Sequence, residues 1–425
     1  MPTARGQQTL TIGFWTSGKR VSSHVSGSIV RFRTIGVLRT TGGAGVGSAL
    51  SHQLGHDGQV SDFVMTPANR MLRRLLAMPP SMIERIAGPP AHVDGRTVAP
   101  SVHLLLRSLE RVDVTGSSRD VIERRNQMGR STSLAMPTVR GVRAVDRLIP
   151  GPDGQIPVRV YRSHRTVGRV PAIVYYHGGG WVVGDLDSHD GSCRMLAKHS
   201  GCVVVSVDYR RAPEAAFPLP LQDCLAAFRH VHDNPQQYSV TPGAVAVMGD
   251  SAGANLAAAV CLVSRDEGPV PIAQSLVYPA TDLRMTATSI DTFATGFMLS
   301  KEDMLWYRNH YVPDPHTVLD PRVSPLLAED LSGLPPAAVW TAGFDPLRDE
   351  GMAFAERLLE AGNHAEHTCF DDQIHGFFGM GVLPGGIDRI ETVCRQTGDL
   401  VHAAQHDPHG LRDRRPPVRA NLYAR

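Results

Sequence analysis

The chain has 425 residues, of which 42% are hydrophobic and 20% charged, and its formal net charge is +2. These values are typical of a folded globular protein and exclude a wholly disordered, fibrous or disulfide-packed chain. A net charge this small gives no field that would make nucleic acid the main partner, so we expect a small, roughly neutral substrate. No apolar run approaches the ~20 residues of a membrane-spanning helix, and we predict no membrane span.

The first 64 residues are rich in Gly, Ser and Thr and carry six Lys or Arg residues against Asp57 and Asp62. This composition predicts a disordered basic leader over 1–64. The glycine run at 42–47 lacks the Lys-Ser/Thr of a phosphate loop, which favours a flexible tether over a nucleotide site. Because folded character begins only at Met65, that methionine is a second candidate start of the protein.

Residues 65–130 carry helix patterns. Thr66 is predicted to cap a first helix, residues 81–84 resemble a capping box that opens a second, and 101–111 form a third with one apolar face. The predicted face residues are Met71, Leu72, Leu75 and Leu76 in the first helix and Val102, Leu105, Leu106 and Leu109 in the third. Arginines on the first two helices favour a solvated face, with contact to an anionic lipid surface as the alternative.

From about Val142 the pattern changes to short apolar or β-branched runs. Two of them, 145–149 and 156–161, flank a Gly-Pro-Asp-Gly turn and predict a hairpin. Six further predicted strands alternate mostly with helix-length segments, at 172–176, 202–207, 245–248, 274–278, 337–341 and 366–370. This alternation predicts an α/β fold in which helices cover both faces of a mainly parallel, doubly wound sheet of eight strands.

The sequence GDSAG at 249–253 closes the predicted strand 245–248 and opens an alanine-rich helix. A nucleophile elbow needs this strand–turn–helix context, and glycines flank its serine because the sharp turn brings neighbouring backbones close. The helix N-terminus behind the serine favours developing negative charge. We therefore predict that Ser251 is a catalytic nucleophile.

A second motif, HGGGW at 177–181, follows the predicted strand 172–176. Its glycines free backbone N–H groups to approach a substrate oxygen without obstruction by side chains. The motif precedes the elbow in the chain, which is the order expected of an oxyanion-hole loop, and this favours such a loop over an ordinary glycine-rich turn.

A serine nucleophile needs a histidine base and a carboxylate that orients the histidine. Both should follow Ser251 in the chain, in loops beyond the ends of strands. Asp345 lies just after the predicted strand 337–341 and is favoured as the acid. Asp349 and Glu350 are rivals, but they fall at the start of the next helix, where favouring the helix dipole is a sufficient role.

For the base we favour His375, which follows the predicted strand 366–370, over His364 and His367, which lie before or within it. The remaining histidines form no metal pattern, and those at 406 and 409 belong to a Pro- and Arg-rich tail. We expect no metal and no cofactor, because acyl transfer through a serine needs only the triad and oxyanion donors.

With these residues the sequence resembles the hormone-sensitive-lipase-like esterases of the α/β-hydrolase superfamily, over about 145–400. The family's motifs appear as HGGGW at 177–181, YRRAPE at 209–214, GDSAGANL at 249–256, DPLRDE at 345–350 and HGF at 375–377. In the second of these motifs, Arg211 stands where the family has leucine.

The resemblance implies an α/β-hydrolase domain over 140–400 and a helical cap made from 65–130 and an insertion at about 281–330. The implied site residues are Ser251, Asp345 and His375 as the triad, the amides of Gly179, Gly180 and Ala252 as the oxyanion hole, and His177 and Gly178 as parts of the loop motif. An aromatic and Met run at 293–311 favours core over pocket, although a helix pair above the site would serve as both. Residues 401–425 are predicted to be a disordered basic tail.

The resemblance further implies a serine carboxylic-ester hydrolase that works through an acyl-enzyme on a small ester with a short- to medium-chain acyl group. A receptor-like homologue without activity is the alternative from another class, and an amidase, thioesterase or deacetylase would use the same triad. Six scattered cysteines without a C-x-x-C pair favour a cytoplasmic location, with peripheral association with the cell envelope as a variant. A homodimer is one candidate for the oligomeric state.

Overall fold

The computed structural model describes residues 63–112 and 119–407, together with the backbone of two short antiparallel strands, Trp15–Thr16 and Lys19–Arg20. Most of the predicted leader and the chain beyond 407 lie outside the described residues. Residues 1–58 and 59–425 are two separate units, and the second unit carries the features described below.

The core of this unit is an eight-stranded sheet. Its strands are β1 Val142–Gly151, β2 Gly154–Ser163, β3 Val170–Tyr176, β4 Val203–Val207, β5 Val240–Asp250, β6 Gln274–Val277, β7 Ala337–Phe344 and β8 Ala365–Ile374. They lie in the order β8-β7-β6-β5-β3-β4-β2-β1. Within this sheet β2 is antiparallel to both of its neighbours, β1 and β4, and every other pairing is parallel. The predicted mainly parallel sheet and its β1–β2 hairpin are confirmed.

The helices of the described residues lie on both faces of the sheet and at the carboxyl ends of its strands. They are α1 Pro67–Leu76, α2 Pro80–Ala87, α3 Pro100–Val112, α4 Val121–Ala135, α5 Asp190–His199, α6 Leu219–Asp233, α7 Pro235–Tyr238, α8 Ala252–Glu267, α9 Thr288–Thr292, α10 Lys301–Tyr311, α11 Arg348–Glu360 and α12 Gly386–His406. Among them, no helix is long and apolar enough to span a membrane.

Alternate residues of the central strands enter the two layers of the core. In β3, Val174 and Tyr176 belong to the core cluster that includes residues of α6, α8 and α11, whereas Ile173 and Tyr175 belong to the cluster that includes residues of α5 and α12. Because both faces are covered, β4 has the sequence VVVSV with every residue buried. The continuous apolar runs that identified these strands in the sequence thus arise from burial on two sides.

A third core cluster joins the N-terminal helices to the rest of the unit. Leu76 of α1, Ile83 of α2 and Val102 of α3 pack in one cluster with Phe344 and Ile374, the last residues of β7 and β8. The helices predicted from 65–130 therefore do have a partner surface, and it lies at the carboxyl ends of two neighbouring strands.

Two details of these helices were predicted wrongly. α2 begins at Pro80 and has no side-chain cap, so residues 81–84 form no capping box, because proline already fits the first helical turn. In α1, Met71 and Leu75 are exposed although both were expected on the apolar face, whereas Leu72 and Leu76 pack in the cluster. Thr66, by contrast, caps α1 as predicted.

The predicted ends of the folded region were also wrong. Phe63–Val64 pairs as a short antiparallel strand with Thr138–Val139, so ordered structure begins before Met65. At the other end α12 runs to His406, six residues into the predicted tail. Val401, within that stretch, is buried on one face of the sheet. Its side chain continues the apolar face of the helix, which the polar composition around it obscured.

Candidate active site

The elbow is the sharp connection between β5 and α8. Ser251 is the single residue between them, and its φ of +55° is a strained value for a residue with a side chain. Its N–H donates to the Val277 carbonyl at 2.8 Å. A Cβ on Gly253 would lie 2.0 Å from the Tyr176 carbonyl oxygen, and one on Gly249 would lie 2.3 Å from the Gly253 backbone. The two glycines are therefore required by the close approach of the backbones.

The three predicted triad residues meet at this elbow. His375 Nδ1 lies 2.8 Å from Asp345 Oδ2, and His375 Nε2 lies 2.9 Å from Ser251 Oγ. Asp345 is fully buried, and its other oxygen accepts the Leu347 N–H at 2.8 Å. An Nδ1–H that donates to the carboxylate leaves Nε2 as an acceptor for the serine proton. The chain of hydrogen bonds has the polarity that nucleophilic attack by the serine requires.

The rival carboxylates, Asp349 and Glu350, bind backbone N–H groups of the chain that follows β6, whereas Asp345 binds the histidine. Asp349 accepts the Ser289 N–H at 2.9 Å. Glu350 is buried, and one of its oxygens accepts the N–H groups of Thr281 and Asp282 at 2.7 and 3.2 Å. Burial raises the pKa of Glu350 well above its usual value. Both residues thus bind backbone between 281 and 289, a role that the helix dipole alone did not suggest.

The rival histidines lie away from the serine. His367 is in β8 and its Nε2 lies 2.8 Å from Thr341 Oγ1 of β7. Burial lowers the pKa of His367 to about 4. His364 precedes β8, with its Nε2 3.7 Å from Glu366. The His364 carbonyl accepts the Ala337 N–H at the amino end of β7, whereas His375 follows directly after the carboxyl end of β8.

The oxyanion loop follows β3 and lies beside the elbow. Gly179 and Gly180 line the same cavity as Ser251 and Ala252, so the structure brings together all the residues predicted for the oxyanion hole. The φ angles of Gly179 and Gly180 are +116° and +59°. A Cβ on Gly180 would lie 2.2 Å from the ring of Tyr307. Only glycine fits at these positions.

Asp250 connects the loop to the elbow, a role that was not predicted from the sequence. Its Oδ1 accepts the Gly178 N–H at 2.8 Å and the Tyr175 hydroxyl at 2.6 Å. His189 Nε2 lies 3.5 Å from the same oxygen. Burial acts to raise the pKa of Asp250, but His189 and these hydrogen bonds outweigh it and hold the pKa at about 2. The aspartate next to the nucleophile in GDSAG was a signal, but its partners are distant in sequence.

His177, the first residue of HGGGW, packs against Tyr209 of the YRRAPE motif. The Tyr209 ring stacks on His177 with centroids 4.3 Å apart, and its hydroxyl donates to the His177 carbonyl at 2.7 Å. Burial, with a smaller contribution from His189, lowers the pKa of His177 to about 3. The imidazole is therefore neutral at physiological pH and serves the architecture of the loop.

The cavity above Ser251 has a volume of about 350 Å³. Its walls come from α4 on one side and from the segment of α10 on the other, and they include Met128, Met298, Met304 and Tyr307. Phe293, Trp306 and Tyr311 of the same aromatic and Met run are buried in the core. The run thus serves as both core and pocket. Fold and cavity place the protein in the α/β-hydrolase class, with a serine, histidine and aspartate at the carboxyl ends of β5, β8 and β7.

Comparisons with known proteins agree with this class. Residues 173–379 match the model of a family with the alpha/beta hydrolase fold. The carboxylic ester hydrolase LipN of Mycobacterium tuberculosis is 40% identical over 77% of this chain and 86% of its own length. Carboxylesterase NlhH of the same species is 37% identical over 68% and 92%. Among solved structures, an ester hydrolase from the metagenome of Lake Arreo is 39% identical with a TM-score of 0.68, covering 71% of this chain and 99% of its own.

A second solved structure, an esterase of Pyrobaculum calidifontis, is 37% identical with a TM-score of 0.65 and covers 72% of this chain and 99% of its own. The chain belongs to the hormone-sensitive-lipase-like carboxylesterases of the α/β-hydrolase superfamily. It is an enzyme that hydrolyses carboxylic esters, which confirms the predicted activity over the receptor-like alternative.

Proposed function

We propose that this carboxylesterase forms an acyl-enzyme on Ser251 and prefers esters of short- to medium-chain acids. His375 takes the serine proton as Oγ attacks the ester carbonyl, and then gives it to the leaving alcohol. A water molecule, activated by the same imidazole, releases the acid. Asp345 keeps the imidazole in the tautomer that makes Nε2 the acceptor and stabilises the cation that forms.

The hydrogen-bond chain from Asp345 through His375 to Ser251, with distances of 2.8 and 2.9 Å, is the observation that carries this proposal. The N–H groups of Gly179, Gly180 and Ala252 serve as donors to the oxygen that becomes negative in the tetrahedral intermediate. Their position beside Ser251 in one cavity supports that role.

The size and lining of the cavity support the preference for small acyl groups. A volume of about 350 Å³ is near the lower end of the ~300–1,000 Å³ range of ligand pockets. Four methionines in its wall adapt to the shape of an alkyl chain. A short acyl group and a small alcohol fill such a space, whereas a long fatty acyl chain exceeds it.

A panel of p-nitrophenyl esters from acetyl to palmitoyl tests both parts of the proposal. We expect kcat/KM to be highest for short or medium chains and to fall steeply for palmitoyl. Ser251→Ala is expected to abolish turnover of every ester while the thermal melting curve stays close to that of the wild type. Undiminished turnover by that variant would contradict the proposed nucleophile, and a maximum at palmitoyl would contradict the proposed chain length.

We also propose peripheral lipid contact, a homodimer and a cytoplasmic location, each as a prediction from the sequence. Lipid contact is supported by Met71 and Leu75, which are exposed on α1 beside Arg70 and Arg74. The cytoplasmic location is supported by the cysteines, all of which are free thiols within the described residues. Sedimentation with anionic vesicles, light scattering of the purified protein and cell fractionation test the three in turn.

A further inference from the structure

The oxyanion loop has a strained backbone immediately after its glycines. Trp181 has a φ of +60°, following the positive φ angles of Gly179 and Gly180. A residue with a side chain holds such a conformation only where its surroundings enforce it. The N–H groups of Val182 and Val183 both donate to the Gly179 carbonyl, at 3.1 and 2.9 Å, and close the loop into a tight turn. The carbonyls after the turn need partners from elsewhere.

Arg125 of α4 supplies one set of partners. Its Nε–H donates to the Val182 carbonyl at 2.8 Å, and one Nη donates to the Ala212 carbonyl at 3.0 Å. Both Nη atoms also bind the Glu214 carboxylate, at 2.8 and 2.7 Å. A planar guanidinium is suited to several directed bonds at once, whereas an ammonium group offers a point charge. Arg125 thus ties the loop to the segment that carries YRRAPE.

That segment holds the other side of the loop. The Ala212 N–H donates to the Trp181 carbonyl at 2.9 Å. Arg211 donates from Nη1 to the carbonyl of Gly184, and its Nη2 lies 3.8 Å from Asp208. Leucine, the residue of the family motif at this position, has no N–H in its side chain and cannot make the bond to Gly184. The bond is therefore tied to the departure of this chain from the motif.

We propose that Arg125 and Arg211 form a clamp on the oxyanion loop, which keeps the N–H groups of Gly179 and Gly180 directed at the developing oxyanion. The clamp rests on the proposed function of that loop. Neither arginine lines the cavity, so both are positioning residues. Because Arg125 belongs to the N-terminal helix α4, the clamp makes stabilisation of the transition state depend on the docking of this helix.

The clamp predicts a specific kinetic change. A misdirected N–H donor stabilises the transition state less but leaves binding of the neutral ester almost unchanged. As a result kcat falls while KM stays nearly constant. Loss of one oxyanion donor lowers kcat by ~10²–10³-fold in serine hydrolases. Arg125→Ala loosens two donors without removing either, so we expect it to lower kcat by ~10–100-fold. Arg211→Leu removes one bond to the loop, together with the ion pair to Asp208, and should have a smaller effect in the same direction.

The test compares Arg125→Ala, Arg125→Lys and Arg211→Leu with Arg130→Ala. Arg130 lies on the same helix, is exposed, and pairs only with other residues of α4 in the bonds of the described residues. Values of kcat are expressed per active site, counted by complete reaction with a phosphonate. The inhibition constant of an alkyl trifluoromethyl ketone is measured in parallel, since its adduct with the serine places an oxyanion in the hole.

We expect Arg125→Ala to lose kcat and inhibitor affinity by similar factors, with KM within about threefold of wild type, and Arg130→Ala to match the wild type. If Arg125→Ala does not fold, Arg125→Lys carries the test, because lysine keeps the charge but cannot make the same set of directed bonds. Unchanged kcat per active site and unchanged inhibitor affinity in Arg125→Lys and Arg211→Leu would overturn the clamp. Turnover by Ser251→Ala would instead overturn the proposed function, so the two failures are distinct.

Discussion

Replacing Asp345 by asparagine is the sharpest test of the proposed acid. The side chain keeps its shape, but the buried carboxylate that accepts the His375 Nδ1–H at 2.8 Å becomes a neutral amide. The amide no longer stabilises the imidazolium cation, and its NH₂ group can face Nδ1 and so move the ring proton to Nε2. The equivalent change in a serine protease lowers kcat by ~10⁴-fold, which corresponds to about 5 kcal/mol of lost transition-state stabilisation.

The assay is steady-state hydrolysis of p-nitrophenyl butyrate, with a thermal melt to show that each variant is folded. Asp349→Asn is the matched control, because Asp349 is a nearby carboxylate that binds the Ser289 N–H and Arg348 instead of the histidine. We expect its kcat to stay within about threefold of the wild type. A fully active Asp345→Asn, or an equal loss in Asp349→Asn, would refute the assignment of the acid.

Two further predictions concern stability. Gly253→Ala places a Cβ 2.0 Å from the Tyr176 carbonyl oxygen and should lower the free energy of unfolding by about 3 kcal/mol or more. In Gly129→Ala of α4 the new Cβ has no atom within 4 Å, so the free energy of unfolding should rise by ~0.5–1 kcal/mol. Urea unfolding measures both, and equal effects would contradict the packing. His177 has a pKa of about 3 in the folded protein and an ordinary value of 6.5 when unfolded, so between these pH values the unfolded chain binds more protons and stability rises with pH. When the pH falls from 7.5 to 5, His177 therefore lowers the free energy of unfolding by about 2 kcal/mol. Unfolding of the wild type and His177→Asn at both pH values should show a weaker pH dependence in the variant, and parallel losses would contradict the burial argument.

The central strands and the elbow were predictable because their signals are local. Strands buried on both faces are continuous apolar runs, and β3 to β7 were found on that basis. The elbow requires close backbone approaches at Gly249 and Gly253, so a motif of five consecutive residues identifies it. Proximity of Ser251, Asp345 and His375 followed from one rule, since the carboxyl ends of parallel strands meet at one edge of a sheet.

The end of β8 was missed because β8 is an edge strand. The predicted strand stopped at 370, but pairing with β7 continues until Ile374 lies opposite Phe344. Asp371 and Asp372 interrupt the apolar run there, and their side chains are partly solvated. A pattern of buried residues cannot mark the end of a strand that has one open side.

Side-chain roles that depend on partners distant in the chain could not be predicted from the sequence. Asp250 binds Tyr175 and Gly178, more than 70 residues away in the chain. Glu350 was judged by its place at a helix start, but it binds backbone N–H groups near residue 281. Arg211 was noted only as a departure from a motif, and its bond to Gly184 depends on how the loop after β3 turns. Such contacts exist only once the strands are assembled.

The claim that Ser251 carries the acyl group is tested most directly by covalent labelling. The wild type is treated with a p-nitrophenyl alkylphosphonate, digested, and analysed by mass spectrometry alongside Ser251→Ala. We predict one phosphonyl group per chain, on the peptide that contains Ser251, with esterase activity lost in proportion to labelling and no label on that peptide in the variant. A phosphonyl group on another residue that accounts for the inactivation would contradict the account.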